Sequence, residues 1–290
     1  MSASNRKYQV VRSLAVGGMA EVWVARPLDE PTRTVVLKRP RRDLAVDPEF
    51  IELFRREAHL HQRSRHPNIV PFIEFGTDDD GPYIVLEFVE GPHIQAISAA
   101  ETLPHPCATA KIGAQIAWAL AELHERGPEI VHRDISPENI VIALDGNAML
   151  IDFGIAFRRK LDHSEANEVR GKLQYIAPEL QYSHKSDQFA LGRTLESLVS
   201  DADDDDSTEG RALRAALARC VAEHPLERFP DCRALARTLE TVASAVPADL
   251  VEAEIVRIAA TAKPTLPSAN TQSLIDEVAL IAGVSDKSSS

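Results

Sequence analysis

The sequence predicts an α+β protein of two unequal lobes, a small sheet-rich one followed by a larger helical one. Two observations carry that reading. Between Tyr8 and Phe88 apolar and β-branched residues cluster in short runs, as in strands, and from Ala108 onward apolar residues line one face at helical intervals.

Taken in order, residues 10–16, 20–25, 34–37, 69–75 and 83–88 each read as a strand. One helix interrupts them. Over 50–62, Phe50, Ile51, Phe54, Ala58 and His61 fall at three- and four-residue intervals, with charges on the opposite face. The helical part opens with a long apolar-faced helix over 108–125. Helices over 187–199, 209–221 and 232–245 follow, with breaks at Pro225 and Pro230. After Val246 the composition shifts towards Ala, Ser, Thr and Pro. Two short amphipathic helices, 248–259 and 273–281, fit there on either side of Pro264 and Pro267, and residues 286–290 look frayed. The expected organisation is a single domain over 8–245, with lobes at about 8–88 and 92–245, and a tail over 246–290. No internal repeat is present.

Composition narrows the function classes. The chain has 290 residues, 44% of them hydrophobic, which suffices for a core. No uncharged apolar run reaches the ~18 residues of a membrane span, and the polar start of the chain has no apolar stretch behind it. Neither a span nor a secretory signal is therefore expected, and the cytoplasm is the expected location. Cys107, Cys220 and Cys232 show no Cys-x-x-Cys pairing, so they read as reduced, buried thiols. A net charge of -12, much of it in the run 201–206, disfavours a nucleic-acid partner. The histidines show no ligand spacing and read as solvated or core residues.

Against that background one set of residues stands out. Phosphoryl transfer needs cations, metal ligands and a positioned base more than it needs covalent chemistry. His132-Arg133-Asp134 is followed by Asn139 within His-Arg-Asp-Ile-Ser-Pro-Glu-Asn. Asp134 suits a group that accepts or orients a hydroxyl proton, and Asn139 suits a metal ligand. Asp152-Phe153-Gly154 follows the apolar strand 149–151, which puts a second carboxylate at a strand end as a further ligand. Lys38 ends Val35-Val36-Leu37-Lys38, within reach of phosphates, and Glu57 on the first helix is placed to pair with it. Ala177-Pro178-Glu179 closes the segment that opens at Asp152. Singly, each has an ordinary reading: a chance triplet, a surface lysine, a solvated helix face. Their shared order on the expected elements is what carries the assignment.

From about Tyr8 to Ala245 the chain resembles the bacterial members of the eukaryotic-type serine/threonine protein kinases. Phe54-Arg55-Arg56-Glu57-Ala58, His66-Pro67-Asn68-Ile69-Val70 and Pro82-Tyr83-Ile84-Val85-Leu86-Glu87-Phe88-Val89 share the resemblance. It implies the two-lobed protein-kinase fold, with ATP and Mg²⁺, or Mn²⁺ in its place, as cofactors. Protein substrates, the chain itself included, are the implied partners. Adenine would lie between Val22 and Val36 above and Val141 below, held by the backbone of Glu87 and Val89 behind Leu86. Phe153, His132, Phe72 and His61 match a hydrophobic spine that assembles as the Glu57 helix swings in. Asp187 matches a residue that braces the His132-Arg133 backbone, and Arg228 one that pairs with Glu179.

The sequence departs from the family pattern in four places. In the phosphate loop, Leu14-Ala15-Val16-Gly17-Gly18-Met19-Ala20-Glu21-Val22, alanines stand at the first and third glycine positions. Ala15 and Ala20 should stiffen the hairpin, while Gly17 and Gly18 keep N–H groups free at its tip. Ser136 replaces a lysine two residues after Asp134, and Lys172 replaces a threonine after Gly171, as if cation and hydroxyl had exchanged places. Between Asp187 and Arg228 the helical lobe is shortened, so the family's substrate-docking helix is expected to be missing. His61 is polar in an otherwise apolar spine. The resemblance further implies Arg133 as a partner for a phosphorylated segment, and Ser164 is the only Ser or Thr between Asp152 and Glu179. An active serine/threonine kinase, a pseudokinase scaffold, and a kinase of tyrosine or dual specificity all remain open at this point.

Overall fold

A computed structural model of the protein describes residues 6–17, 19–100, 102–127, 130–153, 173–199 and 207–262. The N-terminal lobe is an antiparallel sheet in the order β1-β2-β3-β5-β4. Its strands are β1 (Tyr8–Val16), β2 (Ala20–Pro27), β3 (Val35–Pro40), β4 (Phe72–Asp78) and β5 (Gly81–Glu87). Period two sorts their side chains between faces. Val35, Leu37, Tyr83 and Val85 bury on one side with Ala25. Ile84 and Leu86 bury on the other, with Val36 against them, beneath helix α1 (Pro48–Arg63). Lys38 therefore points towards α1.

Helix α1 begins earlier than its apolar pattern suggests because Asp47 caps it. The Asp47 carboxylate accepts from the N–H of Glu49 at 2.9 Å and Pro48 fills the first turn. Phe50, Phe54, Ala58 and His61 are buried as expected, but Glu57 takes the place of Ile51, which is only partly covered. The fourth strand starts at Phe72 rather than Ile69. Pro71 has no N–H for a ladder, and residues 68–70 pair instead with the second lobe, where the Val70 N–H donates to Leu150 O at 2.9 Å.

The second lobe is built around α3 (Pro106–Glu125), preceded by an unanticipated short helix, α2 (Ile94–Ser98). Two short strands, β6 (Ile140–Ile142) and β7 (Ala148–Leu150), lie beside it; only the second was anticipated. Then come α4 (His184–Glu196), α5 (Thr208–Cys220), α6 (Cys232–Ala243) and α7 (Ala248–Thr261). Ile112, Ile116, Leu120 and Leu123 of α3 share one core with Leu191, Leu195, Leu235 and Leu239. Gly113 permits that close approach: a Cβ there would sit 2.5 Å from a Leu195 methyl. Helix α4 starts three residues before the predicted Asp187 because Ser183 and Ser186 form a reciprocal cap.

Part of the expected tail is helix α7, which joins the same core through Val251, Ile255, Ile258 and Ala259. Leu250, expected on that stripe, is 57% exposed, since it lies about 100° around the helix from Val251. The expected helix over 273–281 and the acidic run 201–206 lie outside the described residues. All three cysteines are buried thiols outside any disulfide among the described residues, and burial pushes the Cys220 thiol up to about 12. Among the described residues no helix is long and apolar enough to cross a membrane.

Candidate active site

Three elements converge on Lys38. The period of β3 aims its side chain at α1, where its ammonium donates to Glu57 at 2.6 Å. The same ammonium donates to Asp152, just after β7, at 2.5 Å. Lys38 and Glu57 are withdrawn from water, Glu57 most completely at 1% exposed, while the Asp152 side chain stays about a third exposed. One cation between two carboxylates sets the electrostatics. Burial alone would lower Lys38, but the two carboxylates outweigh it and hold the lysine charged. Burial would raise Asp152, yet Lys38 keeps its carboxyl below the usual range. Glu57 is pushed up by burial, with Lys38 opposing.

Asp134 and Asn139 meet across one turn of the loop before β6. The Asn139 amide N–H groups donate to the Asp134 carbonyl at 2.7 Å and to its carboxylate at 2.8 Å. With its nitrogen turned to Asp134, the Asn139 amide has its oxygen left for a cation. That oxygen and the Asp152 carboxylate are hard donors of the kind Mg²⁺ prefers, so the donor set fits a phosphate-bound divalent metal. Ser136, in the same loop, is 2% exposed and its hydroxyl has no hydrogen-bond partner among the described residues.

Asp187 on α4 fixes the loop's backbone. Its carboxylate accepts from the N–H of His132 at 2.8 Å and of Arg133 at 3.0 Å. Its third contact, His124 at 2.9 Å, was not foreseen: that histidine lies at the far end of α3, and no spacing links the two. Arg133 sits with its guanidinium carbon 5.5 Å from the centre of the Tyr182 ring, another contact the sequence did not signal.

Above this loop the Phe153 ring packs against His61 with centroids 4.2 Å apart and against His132 at 5.2 Å. Phe72 packs with the α1 cluster. Burial drives the His61 imidazole down to about 3 and lowers His132 as well, so both rings are neutral. In the larger lobe, Arg228 donates to both Glu179 oxygens at 2.8 Å.

The remaining candidates line the strands around Lys38. The hairpin between β1 and β2 is closed by the Gly17 N–H on Ala20 O at 2.9 Å. Ala15 pairs with Val22, and Val16 with Glu21. Leu14 and Met19 are partly buried, and Ala20 is buried. Val22 lies opposite Lys38, and Val36 opposite Leu86. Val141 is buried on β6, and the Glu87 N–H is tied to Pro71 O at 3.0 Å. Val89 packs against the α1 cluster. Gly18, Ser164 and Lys172 lie outside the described residues.

Comparison with known proteins agrees with this geometry. Residues 8–223 match the protein kinase domain family. The chain is 38% identical over 224 residues to the serine/threonine-protein kinase PrkC of Bacillus subtilis (strain 168), covering 76% of this chain and 34% of that protein. It is 32% identical over 278 residues to the tyrosine-protein kinase MasK of Myxococcus xanthus (strain DK1622), covering 82% of this chain and 43% of that one. It thus spans less than half the length of these relatives. The crystal structure of the Mycobacterium tuberculosis PknI kinase domain superposes with a TM-score of 0.61 at 26% identity, covering 83% of this chain and 97% of that one. Since the family match takes in Lys38, Glu57, Asp134, Asn139, Asp152 and Asp187 together, the chain belongs to the protein kinase domain family.

Proposed function

We propose that the chain is an active protein kinase that transfers the γ-phosphoryl group of ATP, with Mg²⁺, to Ser or Thr hydroxyls of proteins, itself included. The observation that carries this reading is the Lys38 ammonium bonded at once to Glu57 and Asp152, beside a paired Asp134 and Asn139. Lys38 would neutralise phosphate oxygens, Asp152 and Asn139 would hold the metal, and Asp134 would orient the acceptor hydroxyl. Bound Mg²⁺-ATP supplies the phosphoryl group and the charge that spreads over its oxygens. A scaffold without activity would leave a buried, doubly paired lysine with no chemistry to perform. The kinase domain over 8–245 would act in the cytoplasm, with Ser164 as the autophosphorylation site that Arg133 receives.

Tyr as acceptor is a second reading, favoured by Ser136 in the place of a lysine and by the similarity to MasK. The test is incubation of the protein with Mg²⁺, labelled ATP and a generic basic protein, followed by phosphoamino-acid analysis. Asp134→Asn should abolish transfer while nucleotide binding persists. Equal turnover of the variant and the parent would overturn the assignment, and label on Tyr alone would decide for the second reading.

A further inference from the structure

Glu57 and His61 stand one turn apart on the buried face of α1, and Asp152 reaches them from the end of β7. One donor atom from each lies within 4.8 Å of the other two. We propose that these three residues form an inhibitory site for a borderline-soft divalent cation of the Zn²⁺ type, which displaces Lys38 from its two carboxylates. The inhibitory consequence rests on the kinase reading; the site itself does not.

His61 is the residue that needs explaining. It is 1% exposed, and neither ring nitrogen has a hydrogen-bond partner among the described residues. Buried polar atoms are seldom left so, because an unmade hydrogen bond there costs about 1–3 kcal/mol. An apolar side chain would fill the same space beside Phe153 without that penalty. Edge packing of Phe153 on the ring at 4.2 Å restricts its rotation.

The donor set selects the ion. One imidazole nitrogen with two carboxylates suits Zn²⁺, which takes nitrogen readily and leaves its fourth position to water. Mg²⁺ demands near-octahedral oxygen and gives up its water reluctantly, so it has little to gain from His61. Two carboxylates that now share one ammonium would each be neutralised by a dication. Bond lengths of about 2.0–2.2 Å require the three donors to draw in by about 1 Å. Loss of the Lys38 pair to Glu57 and capture of Asp152 would together remove the phosphate cation and one ligand of the catalytic metal.

The experiment is titration of the protein, without nucleotide, with Co²⁺ as a spectroscopic stand-in, followed by Zn²⁺ competition in excess Mg²⁺. The parent should take up one Co²⁺ with visible ligand-field bands and no thiolate charge-transfer band. Zn²⁺ should displace it and Mg²⁺ should not. His61→Leu, which keeps an apolar spine, and Glu57→Gln, which keeps the shape, should each lose the bands and bind Zn²⁺ more than about tenfold more weakly. Melting curves establish that each variant is folded. In a second arm, Zn²⁺ should inhibit phosphate transfer by the parent at concentrations that spare His61→Leu. Absence of the bands in the parent, or bands unchanged in both variants, would overturn the site. The absorption arm requires no turnover, so it decides the site even for a chain that transfers no phosphate.

Discussion

Asp187 holds Arg133 in a backbone conformation that a residue with a side chain rarely adopts. Its carboxylate accepts the Arg133 N–H at 3.0 Å, and Arg133 has a φ of 72°. Such a conformation costs on the order of 1–3 kcal/mol and persists only when neighbours over-determine it. The same carboxylate takes the His132 N–H, so the residues just before Asp134 are fixed from one point.

Asp187→Ala should therefore unfold at lower urea, by about 3 kcal/mol, with two buried N–H groups left unpaired. Asp187→Asn should be milder and still slow the enzyme by loosening Asp134. Burial would raise the Asp187 carboxyl, but His124 and the backbone donors hold it below the usual range. A carboxyl lowered by folding adds stability above its unfolded value and loses it as pH falls through the folded one. The parent should thus lose stability in acid more steeply than Asp187→Asn. Parallel slopes in urea titrations at neutral and acid pH would contradict this account.

Arg228 should be intolerant of change. Its side chain is fully buried, and besides Glu179 it donates to the carbonyls of Ala222 and Lys185 at 3.0 Å. Arg228→Met would strand Glu179 and those carbonyls, with a loss of about 3–5 kcal/mol. Arg228→Lys should recover little, because an ammonium cannot present the planar fork that meets both Glu179 oxygens. A Lys variant melting with the parent would show that charge alone suffices.

Most of the fold could be read from local pattern because most of its elements announce themselves locally. The apolar faces of α1 and α3 follow helical period, and the alternation on β3 and β5 follows strand period. Boundaries slipped where a cap or a proline decided them: Asp47 and Ser183 act through side-chain caps and Pro71 through a missing N–H, none of which hydropathy registers. The pairing of Lys38 with Glu57 was expected from their places in the order of motifs, not from the apolar face of the helix. The contacts of His124 with Asp187 and of Tyr182 with Arg133 were not, since each joins residues distant in sequence that only the tertiary fold brings together. The burial of Glu57 in the place of Ile51 belongs to the same class, as its partner Lys38 comes from another element.

Helix α7 should stabilise the larger lobe. Val251, Ile255 and Ile258 are buried against it, and Glu254 accepts the His105 N–H at the start of α3 at 2.8 Å. Ile255→Ala should cost about 2–5 kcal/mol, and removal of residues 246–290 should lower the melting temperature further. An unchanged melting curve for the truncated chain would mean that the helix adds nothing to the lobe.

The last prediction concerns Ser136 and Lys172. Phosphoryl groups in transit carry negative charge on their equatorial oxygens, and a fixed ammonium in a water-poor cleft can lower the barrier by several kcal/mol. The family pattern puts that ammonium two residues after Asp134, where this chain has Ser136, whose buried hydroxyl has no partner among the described residues. A lysine there would have to carry its charge out of the same buried position. Lys172 lies outside the described residues; by sequence it stands where the family has a threonine, and the exchange hypothesis assigns to its ammonium the charge that Ser136 lacks. Lys172→Ala should then lower kcat about a hundredfold or more with little change in KM for ATP, because the lost contact strengthens in the transition state. Ser136→Lys combined with Lys172→Thr should restore activity that each single change harms, as expected of neighbours acting as one unit. A rise confined to the KM of the protein substrate would instead make Lys172 a substrate contact and end the exchange hypothesis.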